Sequence, residues 1–180
     1  MQCFLDLDGV LVDFVGGALK LHGRPDFPRK DIIWDFNEQL NLSPQAFWRN
    51  MGFDFWHGLL WTTEGRAILQ IAKHYFGDAN IAILTSPSKT PGCLDGKLSW
   101  IKNNIPEFSR QFFIGPAKHL LASPGKLLID DCDNNTEKFE DCGGKVLLVP
   151  RPWNKLRHLT VNGDCNIDDL RKSLDTVLGI

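Results

Sequence analysis

The chain has 180 residues, of which 43% are hydrophobic and 23% charged, with a formal net charge of -2. That is enough for one well-buried domain in the usual range of about 100 to 200 residues, and it excludes a disordered or fibrous chain. The absence of a basic excess argues against long nucleic acid as a partner. Five cysteines, Cys3, Cys93, Cys132, Cys142 and Cys165, form no C-x-x-C pair, so neither a disulfide framework nor a zinc knuckle is expected, and a reducing cytoplasm suits them. No basic leader with a following apolar stretch opens the sequence, and no apolar run approaches the ~20 residues of a membrane helix. A soluble cytoplasmic protein without a membrane partner is the expectation.

In chain order, short apolar runs at Gln2–Leu5, Ile81–Leu84, Gln111–Ile114, Leu127–Ile129 and Val146–Val149 read as buried strands. Between and after them, helical spacing appears in Ala67, Ile68, Ile71, Ala72 and Tyr75, in Leu98, Ile101 and Ile105, and in Ile167, Leu170, Leu174 and Val177. Strands alternating with helices imply an α/β fold with a parallel sheet. Residues 24–61 interrupt this rhythm: they hold four of the six tryptophans (Trp34, Trp48, Trp56, Trp61) and five phenylalanines but no strand-like run. This segment reads as a small helical insertion, with Ser43-Pro44 as an N-cap followed by proline at the first helical position. Its aromatic rings fit a compact core as well as a ligand surface.

Three of the apolar runs end in chemically useful residues: Asp6-Leu7-Asp8-Gly9-Val10, Thr85-Ser86-Pro87 and Asp130-Asp131-Cys132-Asp133. In open parallel sheets, ligands bind outside the carboxyl ends of the strands, so three segments converge on one place. Gathered carboxylates repel one another and are costly to bury, and a hard divalent cation removes the difficulty. Oxygen ligands suit magnesium, which commonly shares its shell with a substrate phosphate. Calcium-loop readings fail, because Leu11 and Gly17, or Thr136 and Cys142, stand where glycine and glutamate are required. Neither a G-x-x-x-x-G-K-[ST] loop nor a G-x-G-x-x-G fingerprint occurs.

Taken together, Asp6-Leu7-Asp8-Gly9-Val10, Leu84-Thr85-Ser86, Lys118 and Ile129-Asp130-Asp131 resemble the haloacid dehalogenase (HAD) superfamily of phosphotransferases. The Asp-Leu-Asp-Gly-Val-Leu-Val-Asp-Phe opening, Thr85-Ser86-Pro87-Ser88-Lys89 and the Leu-Leu-Ile-Asp-Asp stretch look most like its 5'(3')-deoxyribonucleotidases. The resemblance implies a Rossmann-like parallel sheet flanked by helices, with a core domain of residues 1–23 and 62–180 and a small helical cap at 24–61. It implies Asp6 as nucleophile and Asp8 as general acid and base. Magnesium would take the Asp6 and Asp131 carboxylates and the Asp8 carbonyl, supported by Asp130. Thr85, Ser86 and Lys118 would hold phosphate. Phe14 and Lys89 fall where that family contacts substrate, and Trp34, Trp56 and Trp61 are further candidates from the cap. The sequence departs from the family at Ala117, where its nucleoside phosphatases often carry an arginine before the lysine.

The expected partner is a small phosphorylated molecule, above all a deoxynucleoside monophosphate, and the resemblance leaves a homodimer open. Arg49, Arg66 and His57 read equally as substrate contacts or surface, while Arg151, Lys155, Arg157 and His158 read as a solvated loop. Two other functions compete: a phosphatase for another small metabolite or a 3'-phosphate DNA end, and a catalytically silent protein that only binds a phosphorylated ligand.

Overall fold

Strands buried on both faces are aliphatic along their whole length rather than alternating, and the central strands here have that character. The structure is a computed structural model that describes residues 1–180. Its main sheet contains β1 (Gln2–Leu5), β2 (Ile81–Thr85), β3 (Phe112–Ile114), β4 (Lys126–Asp130) and β5 (Lys145–Leu148). All pairings are parallel, in the order β3-β2-β1-β4-β5. Every residue of β2 is buried.

Helices flank the sheet: α1 (Phe14–Leu21), α5 (Gly65–Phe76), α6 (Cys93–Asn104), α7 (Asp133–Asp141) and α8 (Ile167–Leu178). The expected helical stripes lie in α5, α6 and α8. Asn166 caps α8 by accepting from the amides of Asp168 and Asp169, and Gly179 ends it in the left-handed region. On one face of the sheet, Cys3, Leu5, Ile81, Ile83, Leu127 and Ile129 join a cluster of 35 buried residues. On the other, Phe4, Ala82, Leu84 and Leu128 meet Phe139 of α7.

Helices α1 and α7 and a short hairpin were not anticipated. Helix α7 is almost wholly polar and buries only Thr136 and Phe139, so it carries no apolar stripe to read. The hairpin of β6 (Thr160–Val161) and β7 (Asp164–Cys165) turns on Asn162-Gly163, both at positive φ, which is a turn-forming pair between strands too short to announce themselves.

The aromatic segment is helical: a 3-10 turn at Arg29–Asp31, then α2 (Phe36–Gln39), α3 (Pro44–Trp48) and α4 (Phe53–His57). Ser43 accepts from the Ala46 amide with Pro44 in the first turn, the arrangement its sequence implies. Ile32, Phe36, Phe47, Met51, Trp56 and Leu59 belong to the large cluster, so the insertion shares the core of the rest. Its α4 lies hard against α6. A Cβ at Gly96 would come within 2.6 Å of the Trp56 Cβ and 2.8 Å of the Phe53 carbonyl oxygen. Trp100 Nε1 donates to the Leu59 carbonyl at 2.8 Å, and Thr90 Oγ1 to that of Met51 at 2.9 Å.

Overpacking a close helix contact costs about 1–3 kcal/mol. Gly96→Val is therefore expected to lower stability by about that amount, read as a shift of the urea midpoint; an unchanged midpoint would show that the α4–α6 contact yields freely.

Candidate active site

The chain leaves β1 at Leu5 and turns at once. The amides of Val10, Leu11 and Val12 all donate to the Leu7 carbonyl, which winds residues 7–12 into a tight loop. Gly9 sits at φ +73°, and a Cβ there would lie 2.2 Å from Asp131 Oδ2, so both conformation and space demand glycine. Arg151 Nε donates to the Gly9 carbonyl at 2.7 Å, and Thr62 Oγ1 to that of Val10 at 2.7 Å.

This loop and the end of β4 meet where the connection order of the sheet reverses, between β1 and β4. Carboxylate oxygens of Asp6, Asp130 and Asp131 lie within 4.8 Å of one another there, all buried. Lys118 Nζ is 2.8 Å from Asp6 Oδ1 and 2.7 Å from Asp130 Oδ2. The Leu7 amide also donates to Asp6 Oδ1, at 2.8 Å, so that oxygen is held from two sides while Oδ2 takes no hydrogen bond from the protein. Asp130 accepts from the Cys132 amide at 2.9 Å and from Asn135. Asp131 Oδ2 accepts from Trp153 Nε1 at 2.7 Å.

Burial holds the Asp6 carboxyl up at about 7; Lys118 pulls it down, and the charges of Asp130 and Asp8 push it further up. Asp131 is raised well above the carboxylate range by burial and by Asp130 and Asp6. Burial works against the charge on Lys118, but Asp6 and Asp130 outweigh it and keep the ammonium firmly protonated. Three carboxylates against one ammonium leave an excess of two negative charges when all are ionised. An all-oxygen, buried donor set of that charge fits a hard divalent cation such as magnesium.

A cleft of about 1220 Å³ opens over this cluster. Asp6, Asp8, Asp131, Ser86, Lys89, Phe14, Trp34 and Trp56 all line it, so the structure brings these expected residues together. Phe14 lies nearly parallel to Trp56, at 5.4 Å between centroids and 12°, and to Trp48, at 5.8 Å and 24°. Trp34 is 58% exposed at the rim, and Arg49 also faces the cleft.

Three expectations are corrected. Trp61 lies away from the cleft: its ring packs on Trp100 at 5.0 Å and beneath the Arg66 guanidinium at 4.6 Å, which occupies Arg66 as well. Thr85 is fully buried and does not line the cleft, its hydroxyl accepting from Lys97 Nζ at 2.8 Å. Arg151 is no solvated tail residue; it is buried in an ion pair with Glu64 at 3.0 Å, while Lys155, Arg157 and His158 do lie at the surface.

Sequence reasoning missed Lys97, Trp48 and Trp153. Lys97 carried a usable signal, because it falls on the α6 stripe of Cys93, Gly96, Trp100 and Ile101 that faces the core, where a lysine is out of place. Trp153, in the irregular stretch after β5, carried none.

No protein-family model and no curated protein sequence matches the chain. Solved structures do resemble it. A HAD family hydrolase from Deinococcus radiodurans R1, crystallised with phosphate and sodium, has 15% identity and a TM-score of 0.57, over 98% of this chain and 95% of that one. A haloacid dehalogenase-like hydrolase from Streptococcus pneumoniae has 14% identity and a TM-score of 0.49, over 96% and 90%. A HAD phosphatase from Thermococcus onnurineus has 13% identity and a TM-score of 0.45, over 96% and 97%. The first of these likenesses gives the fold, an α/β fold of the HAD type, which agrees with the strand order and with the expectation drawn from the motifs.

A raised carboxyl value makes cation binding pH-dependent. Below about 7 the Asp6 carboxyl keeps a proton that competes with a cation, so affinity falls as pH drops through that value and rises above it. The same shift lowers metal-free stability as pH rises from about 4 to about 7, because the folded state keeps a proton that the unfolded chain has released. Calorimetric titration with magnesium is expected to give tighter binding and net proton release at about pH 8 than at about pH 6. Binding that does not vary over this interval would contradict the assignment.

Proposed function

We propose that the protein is a magnesium-dependent phosphomonoesterase that works through a phosphoryl group carried on Asp6. The observation that carries the reading is the cluster itself: a buried carboxylate lining a cleft, with one oxygen held by Leu7 and Lys118 and the other free of protein hydrogen bonds, beside Asp8 and two more carboxylates. A surface patch of acids would have none of this enclosure.

On this reading Asp6 attacks phosphorus as the ester bond to the leaving oxygen breaks, which divides one hard displacement into two easier ones. Asp8, also in the cleft, gives its proton to the leaving oxygen. It then takes one from the water that attacks the Asp6 phosphate, help worth about 10²- to 10⁴-fold in rate. Lys118 offsets the charge on Asp6 throughout. Asp6, Asp131 and the Asp8 carbonyl would hold magnesium, which would supply charge neutralisation for the phosphoryl oxygens. Asp130 steadies Lys118 and, through Cys132 and Asn135, the end of β4. Ser86 faces the place where phosphoryl oxygens would lie, and Thr85 supports that turn from beneath. The fold agrees with such chemistry, since the Deinococcus radiodurans hydrolase that shares it was crystallised with phosphate.

The substrate we infer is a deoxynucleoside monophosphate, as for a 5'(3')-deoxyribonucleotidase. The cleft is far larger than a phosphate needs, and Phe14, Trp34, Trp48 and Trp56 offer it aromatic surface. Base stacking on such rings is worth about 1–3 kcal/mol per base. Lys89 and Arg49 add positive charge at its edge. Residues 24–61 serve on this view as the cap that walls the leaving group.

Magnesium-dependent phosphate release should favour dUMP, dTMP and their 3' isomers over sugar phosphates, and Asp6→Asn should lower it by at least about 10³-fold. A preference for sugar phosphates would remove the nucleotide assignment and leave the phosphatase standing. Turnover that survives unchanged in Asp6→Asn would remove the mechanism.

A further inference from the structure

Lys97 is 2% exposed and sits on the core-facing stripe of α6, yet it carries a charge. Its ammonium donates to Asp8 Oδ2, to Thr85 Oγ1 at 2.8 Å and to the Ser86 carbonyl at 2.7 Å. An ammonium has three donors, and all three are in use. Lys97 therefore has nothing left to offer a substrate, and it does not line the cleft. Its Nζ also lies 4.8 Å from the centre of the Trp56 ring, whose own helix α4 packs against α6. No other group of the protein hydrogen-bonds the Asp8 carboxyl.

We propose that Lys97 is a positioning residue for Asp8. It holds Oδ2 as an acceptor and locks the carboxyl to the Thr85-Ser86 turn, so that Oδ1 is the oxygen that exchanges the proton with the leaving group. The role rests on the phosphatase reading above. In the first half-reaction the bond from Asp6 to phosphorus forms, the bond from phosphorus to the leaving oxygen breaks, and the Asp8 Oδ1 proton passes to that oxygen. In the second, water displaces Asp6 from phosphorus and returns a proton to Oδ1. Both transfers need one carboxyl in one orientation, and a lone flexible aspartate would not hold it.

A leaving group that departs without protonation makes the first transfer dispensable. Lys97→Met keeps the stem under Trp56 and removes the three donors. Its loss of kcat/KM on an alkyl phosphate should exceed its loss on p-nitrophenyl phosphate by about 30- to 100-fold, within the range that acid catalysis supplies. With p-nitrophenyl phosphate, kcat should fall behind a stoichiometric burst of p-nitrophenolate, because water attack on the Asp6 phosphate still needs Asp8. In an Asp8→Asn background, Lys97→Met should add no further selective loss.

A uniform loss on both esters, or none, would overturn the role of Lys97 while leaving the phosphatase intact. Wild-type protein without turnover that Asp6→Asn removes would strike the phosphatase reading and take Lys97 with it. Should Lys97→Met not fold, as judged by its urea transition, Lys97→Arg keeps the charge and most of the stem. Its planar fork cannot serve the same three acceptors, so the same ratio decides the question.

Discussion

Three carboxylates packed within 4.8 Å inside a protein repel one another, and much of the architecture around β1 and β4 manages that repulsion. Lys118 answers it directly by bridging Asp6 and Asp130 from a position as buried as theirs. Backbone dipoles answer part of the rest. The amides of Leu7 and Cys132 point into the cluster, and α7 begins at Asp133, directly after the two aspartates. Burial first, and then the repulsion these donors leave uncancelled, show in the raised values of Asp6 and Asp131. Burial here costs stability, and a bound cation is the natural means to recover it.

The same constraint explains why polar residues are buried well beyond the cluster. Gly9 must approach Asp131 closely, so the loop of residues 7–12 has to be pinned, and the Arg151 side chain pins it through the Gly9 carbonyl. Arg151 is in turn held by Glu64, ahead of α5, whose carboxylate also accepts from the Cys165 amide in β7. The short terminal hairpin is thereby tied to the first loop. Removing one partner of a buried pair leaves an uncompensated charge and costs far more than the pair itself contributes. Arg151, Glu64, Lys97 and Lys118 thus belong to a frame of buried ions in which Glu64 and Asp8 each have one cation, Asp6 and Asp130 share Lys118, and Asp131 has none.

How legible this was in the sequence depends on how local the cause is. The strands were legible because β2 and its neighbours are short runs of almost wholly apolar residues. Asp6, Asp8, Asp130 and Asp131 were legible because each follows such a run, where a parallel sheet opens to ligands. Distant partners set the rest. Trp61 and Trp56 look alike in the chain, but one is drawn onto Trp100 and Arg66 and the other onto Phe14 and Lys97. Arg151 looks like the lysine and arginine that follow it and differs only in having Glu64 within reach, 87 residues away in sequence. Lys97 was recoverable, since a charge on a core-facing helical stripe violates the pattern around it, and such violations tend to mark working residues.

The insertion shows how chemistry and recognition are joined. Because residues 24–61 bury Ile32, Phe47 and Trp56 in the common core, they cannot rearrange without disturbing the helix they rest on. That helix is α6, and where α4 meets it the Trp56 ring covers the ammonium that holds Asp8. A side chain that lines the cleft therefore touches the ammonium that hydrogen-bonds the Asp8 carboxyl. Asp8 is the member of that pair which water reaches, and on the proposed reading a leaving group seated over it would exclude that water and strengthen the pair. On that reading, proper filling of the cleft would tighten the geometry of the acid at the moment it is needed. On the proposed reading, small phosphate esters that leave Asp8 in water would lose that advantage in kcat as well as in binding, which is how recognition remote from phosphorus would become selectivity in the chemical step.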